Sequence, residues 1–135
     1  MNNETLQSHG TALLRVSLGI MILAHGLLKI LVFTPAGTAG FFASVGLPAW
    51  TAYPVILAEV AGGVALIGGL WTRLVSLALV PVLIGATIVH AGNGWVFSNP
   101  GGGWEYPLFW TVALIAQALL GSGSFALRRA PRAKA

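Results

Sequence analysis

Four stretches of this chain are long and apolar enough to cross a lipid bilayer, and that feature constrains the fold more than any other. A hydrocarbon core about 30 Å thick takes about 20 residues of helix. Thr11 to Phe33 is apolar apart from Arg15, His25 and Lys29. Ala52 to Leu70 is apolar apart from Glu59, and Leu74 to Ala91 carries His90 as its sole ionisable group. Tyr106 to Phe125 carries none, with Gln117 its main polar side chain. Lipid offers no hydrogen bonds to the backbone, so each stretch has to satisfy its own N–H and C=O groups as a helix. The expected fold class is all-α: a polytopic membrane protein built as a bundle of four transmembrane helices. One domain over residues 1–127 holds helices at 11–33, 52–70, 74–91 and 106–125, followed by a basic cytoplasmic tail over 128–135.

Charge supports the same reading. Only 7% of the 135 residues are charged, against about 25% in a soluble domain, whose surface needs them. The net charge is +4, but its placement argues against nucleic acid as a partner: Arg128, Arg129, Arg132 and Lys134 all lie within the last eight positions. Basic residues gather on the cytoplasmic side of membrane helices. Arg73 lies in the short connection between the second and third spans, whereas the connections after the first and third spans contain no Lys or Arg. Both termini are therefore expected inside and the two longer loops outside, with Lys29 the one dissenter. Trp50, Tyr53, Trp95, Trp104 and Tyr106 then form an outer aromatic belt. There is no cysteine, which rules out disulfides and thiolate chemistry in this chain. The start, MNNETLQSHG, lacks the basic region of a cleavable signal peptide, so the first span is expected to stay in the protein.

The connection from Thr34 to Thr51 reads as a loop, with Pro35, Gly37, Gly40, Gly46 and Pro48 as turn signals. The connection GNGWVFSNPGGGWE reads the same way. A weak repeat relates the two halves. Arg15-Val16-Ser17-Leu18 resembles Arg73-Leu74-Val75-Ser76-Leu77, and Trp50-Thr51-Ala52-Tyr53-Pro54 resembles Trp104-Glu105-Tyr106-Pro107. Two similar hairpins in one orientation would form a parallel repeat. Small residues in AEVAGGVALIGG, among them Gly62, Gly63 and Gly69, point to close helix crossings and put the second span inside the bundle.

Ionisable groups at membrane depth each require an explanation. Arg15 and Lys29 have long stems that reach opposite headgroup layers, a purely structural role. Glu59 is too short for that and is expected to face a partner within the bundle. At a rise of about 1.5 Å per residue, His25 and Glu59 lie roughly 3–5 Å outward of the bilayer centre, and Lys29 roughly 10 Å outward. His25 is thus the first candidate partner of Glu59, and Lys29 the next. With His90 and Glu105 near the outer ends of their spans, His25, Lys29, Glu59, His90 and Glu105 mark a polar pocket in the outer half. It reads either as a ligand or proton-relay site or as a staple between helices. His25 and His90 differ in depth by roughly 7 Å, a poor match for two axial ligands of one haem iron. No metal-ligand spacing is present, and no metal site is assigned.

The ordered set of these motifs resembles the DoxX family. LLRVSLGIMILAHGLLKI is similar to its first helix, the run from Gly40-Phe41-Phe42 to Gly46-Leu47-Pro48 to its following loop, and AEVAGGVALIGGLWTR to its second helix. His90, Glu105-Tyr106-Pro107 and Gly121-x-Gly123 complete the order. The resemblance implies a four-helix protein of the bacterial inner membrane, linked with a thiosulfate:quinone oxidoreductase subunit and with thiol and oxidative-stress complexes. An acidic residue that the family often carries after Gly-x-Gly is absent, since the chain reads Phe125-Ala126-Leu127-Arg128. The expected function is a membrane subunit or accessory protein of a quinone- or thiol-linked redox system. Quinone is the candidate small molecule, and catalysis by the chain itself is left open. Partners in keeping with this reading are the lipid bilayer, a redox protein and further copies of the chain. The alternatives are a small proton-coupled permease using the same pocket and a structural scaffold without catalysis.

Overall fold

The computed structural model describes residues 1–128. Of the expected basic tail only Arg128 falls within them, and the rest lies outside the described residues. Five α-helices follow one another: α1 (Asn3–Leu31), α2 (Pro35–Ser44), α3 (Ala52–Gly68), α4 (Thr72–His90) and α5 (Glu105–Leu120). Short 3-10 turns at Ala49–Thr51 and Ala91–Asn93 extend α3 and α4. With these turns, α1, α3 and α4 are long and apolar enough to cross a membrane. The 16 residues of α5 are equally apolar but shorter, about 24 Å of helix.

The element boundaries differ from the hydropathy reading in three places. α1 begins at Asn3 rather than Thr11 because Asn2 caps it: the Asn2 side chain accepts from the Thr5 N–H at 2.9 Å, and Glu4 sits in the positive first turn. Hydropathy marks where lipid begins, not where the helix does. The connection from Thr34 to Thr51 is not wholly irregular. Thr34 accepts from the Gly37 N–H, Pro35 occupies the first turn, and the ten residues of α2 follow. Thr38 of α2 is buried and donates back to the Lys29 carbonyl at 3.3 Å, which pins α2 over the end of α1. At the other end, the fourth span stops at Leu120 instead of Phe125. Gly121 takes a φ of +87° there, a conformation that disfavours any residue with a Cβ.

Residues 121–128 then run back across the bundle as a strap. The Ser124 N–H donates to the Ser8 carbonyl at 3.0 Å, and the Leu127 N–H to the Gly68 carbonyl at 2.9 Å. The strap thus satisfies a carbonyl at the end of α3 that would otherwise lack a partner. The end of the bundle that it covers is the strap end, and the opposite end, with α2 and the 91–104 connection, is the loop end.

α1 packs chiefly on α3, α4 packs on α5, and α3 joins the two hairpins through α4. The glycines account for the closeness of the first pair. A Cβ at Gly63 would lie 2.7 Å from the Leu23 backbone N, and one at Gly19 would lie 2.8 Å from the Ile67 backbone N. Adjacent Gly62 instead faces the Leu79 side chain of α4. The two neighbouring glycines of α3 therefore serve two different helices.

The polarity of the bundle is inverted relative to a soluble protein. Leu13, Leu57, Leu77 and Leu119 are all exposed, Leu119 to 76%, as a lipid-facing surface requires. The interior holds Leu18, Leu66, Leu79 and Leu114 in one cluster, but also Arg15, Glu59, Thr72, Ser76 and Gln117.

Candidate functional site

At the loop end, α1 and α3 bring together two ionisable side chains of opposite charge. Lys29 Nζ donates to both carboxylate oxygens of Glu59, at 2.9 and 2.8 Å. The Glu59 side chain is 8% exposed and that of Lys29 19%. Glu59 reaches its position because α3 and α1 touch closely nearby, where a Cβ at Gly26 would lie 3.1 Å from the Glu59 Cβ. The partner of Glu59 is thus Lys29, not His25, which depth alone had favoured. The four-carbon stem of lysine bends back one helical turn to the carboxylate, while the imidazole is engaged elsewhere.

His25 Nδ1 lies 2.9 Å from the Met21 carbonyl of its own helix. A carbonyl only accepts, so Nδ1 carries the proton, and in the neutral ring Nε2 is left as an acceptor. The ring packs edge-on against Trp110 of α5, with centroids 4.8 Å apart. Trp110 is buried, and its indole N–H has no hydrogen-bond partner among the described residues. Tyr106, one turn earlier on α5, also packs edge-on against the indole, with centroids 5.4 Å apart. Trp110 was not among the residues singled out by sequence. A tryptophan placed inside a span, away from the headgroup belt, is the signal that could have found it.

The other candidates do not join this cluster. His90 Nδ1 pairs with the Ala86 carbonyl at 2.7 Å, and its ring lies beside Gly102 of the following loop. Glu105 accepts from the Phe97 N–H at 3.0 Å and so fixes the 91–104 connection. Neither shares a hydrogen bond with Lys29 or Glu59. The expected belt residues Trp50, Tyr53, Trp95 and Tyr106 are well exposed at this end. Trp95 and Trp104 meet edge-on at 4.5 Å.

Arg15 departs most from expectation. It does not extend outward from the bundle. Its side chain is folded inside the strap end with the residue 1% exposed, and Nη2 donates to the Ser124 carbonyl at 3.2 Å. Gly69 makes this possible, since any Cβ there would collide with Arg15 Nη1. Gly69 also takes a φ of +70° as it ends α3. Arg73, by contrast, is exposed, and its guanidinium lies near Gly121.

An apolar exterior, closely packed helices and a set of buried polar groups define a small polytopic membrane protein with internal polar sites. The chain belongs to the DoxX family, whose family model matches residues 10–92. It is 46% identical over 118 residues to a Bacillus subtilis protein named "Putative oxidoreductase CatD", covering 87% of this chain and 84% of that one. It is also 32% identical over 130 residues to an uncharacterized protein of Haemophilus influenzae, covering 94% and 95% of the two chains. No solved structure matches the chain.

Proposed function

We propose that this protein is a membrane subunit of a redox system and that its loop-end site binds a quinone headgroup from the bilayer. The observation that carries the reading is the unpartnered indole N–H of Trp110, buried beside His25. A buried donor without an acceptor is costly, and a quinone carbonyl is an acceptor soluble in lipid. His25 Nε2 can accept a proton from the hydroxyl of a bound quinol. The Lys29–Glu59 pair, one turn away along α1, adds a charged pair beside His25. The CatD relative, named as an oxidoreductase, supports the redox assignment. The chain has no thiol of its own, so thiol chemistry would fall to a partner protein.

The test uses detergent-purified protein and a short-chain ubiquinone, with binding read by native mass spectrometry and by quenching of tryptophan fluorescence. Trp110→Phe keeps most of the ring and removes the donor, and is expected to weaken binding about tenfold. His25→Ala is expected to weaken it as well. Unchanged affinity in both variants would overturn the reading. A second reading, a structural staple between α1 and α3, is favoured by one observation: both oxygens of Glu59 are engaged by Lys29.

The site is further proposed to open toward the outer face of a bacterial inner membrane, with both termini cytoplasmic. The support is the Lys/Arg bias between connections. Asn3 and Ser98 are exposed at opposite ends of the bundle. Single cysteines placed there are expected to react with an impermeant maleimide in intact cells at Ser98 and not at Asn3. The reverse pattern would invert the topology.

A further inference from the structure

One helical turn toward the strap end from the leucine layer lies a layer of a different kind. Leu18, Leu66, Leu79 and Leu114 pack together, one from each of α1, α3, α4 and α5. Three residues further toward the strap on each helix are Arg15, Gly69, Ser76 and Gln117, every one of them buried. Thr72, one turn below Ser76 on α4, is buried too. The layer is polar but unsatisfied. Among the described residues, Arg15 Nε and Nη1, Ser76 Oγ, Thr72 Oγ1 and Gln117 Oε1 have no hydrogen-bond partner. The single bond of the guanidinium, to the Ser124 carbonyl, leaves most of its donors unused.

The chain also has no acidic side chain to neutralise Arg15. It contains only three: Glu4, Glu59 and Glu105. Glu59 is held by Lys29 and Glu105 caps the Phe97 N–H, both at the loop end. Glu4 is exposed in the first turn of α1, eleven positions before Arg15, about 16 Å along the helix. A guanidinium stays protonated at any physiological pH, and a buried charge without a counter-charge is strongly unfavourable.

We propose that the strap-end layer is a binding site for an oxyanion of phosphate type, with Arg15 as its cation and Thr72 and Ser76 as hydroxyl donors. Gly69 leaves room for the guanidinium, and the Gln117 amide, which donates to the Gly121 carbonyl at 2.7 Å, holds the strap to α5 at the rim of the site. A planar guanidinium together with buried hydroxyls at the same end of the bundle matches the acceptors of a phosphate group. The same chemistry is offered by free phosphate and by the headgroup of an anionic phospholipid, and the site lies near the ends of α3, α4 and α5.

The experiment compares full-length wild type with Arg15→Gln and with the double variant Thr72→Val/Ser76→Ala, which retains the guanidinium. Protein is delipidated in a neutral detergent. Melting is followed during titration with sodium phosphate against sodium chloride at equal ionic strength. Native mass spectrometry is run in parallel after passage through nanodiscs of phosphatidylglycerol or phosphatidylcholine. For wild type, phosphate is expected to raise Tm by about 5–10 °C at saturation, or phosphatidylglycerol to be retained in preference to phosphatidylcholine. The first result identifies a free anion and the second a lipid headgroup. Either effect should weaken about tenfold or more in Arg15→Gln and in the double variant. Should Arg15→Gln fail to fold, the double variant alone decides. Absence of both effects in wild type, or their persistence in the folded variants, overturns the proposal.

Discussion

Lys29→Met is expected to destabilise the bundle more than Glu59→Gln does, and the double variant to recover most of the loss. The order follows from the stems of the two side chains. Removing the lysine strands a carboxylate that is 8% exposed on a short stem, and breaking a buried pair in this way costs about 3–5 kcal/mol. Removing the carboxylate charge instead leaves an ammonium whose side chain is 19% exposed. Its long stem lets it turn toward the headgroups, so the loss is smaller. With both charges gone, an uncharged pair remains and neither group is stranded. Melting of the three variants in one detergent measures the cycle. Additive losses would mean that the two groups do not act as a pair. The same variants separate the two readings of the site. If the pair is only a staple, Lys29→Met/Glu59→Gln should bind short-chain ubiquinone as wild type does. If it contributes to the proposed quinone site, binding should fall although the bundle is restored.

Gly63→Leu is expected to separate α1 from α3, whereas Gly62→Leu should be the milder of the two changes. At Gly63 an added Cβ already lies 2.7 Å from the Leu23 N and 2.8 Å from its Cα. These are backbone atoms of a helix and cannot yield without moving the helix. At Gly62 the nearest atoms are the methyl ends of Leu79, from 3.0 Å, and a leucine tip can change rotamer. Overpacking commonly costs about 1–3 kcal/mol even where neighbours can shift, and Gly63 lies beyond that regime. Size-exclusion profiles and melting in detergent should show Gly63→Leu aggregated or melting far below Gly62→Leu. Equal behaviour would show that the crossing is not set at Gly63.

The fold was legible to different depths in different places. The lipid-crossing stretches followed from apolar runs and sparse charge, because lipid selects for those properties residue by residue. The helix ends did not follow. They depend on a cap at Asn2, on Thr34 and on the φ of Gly121, which hydropathy does not report. α2 was hidden because glycine and proline mark turns on average, yet here Pro35 starts a helix that a buried Thr38 anchors. At the candidate site, depth placed Glu59 near helix 1 but preferred the wrong partner. Depth measures where a Cα sits along the bilayer normal, and a lysine side chain spans more than a full turn of that coordinate.

What the sequence by itself determined was therefore one-dimensional: which stretches are apolar enough to meet lipid, where the polar residues fall along them, and which family the motifs resemble. The tertiary structure decided the rest. It turned neighbouring Gly62 and Gly63 toward different helices, folded Arg15 inward beneath the strap, set Trp110 against His25 and closed Lys29 on Glu59. The reason is physical. Hydropathy is a property of single residues, but a side chain finds its partner through the rotation of each helix about its axis, and that rotation is set by the contact between packed surfaces.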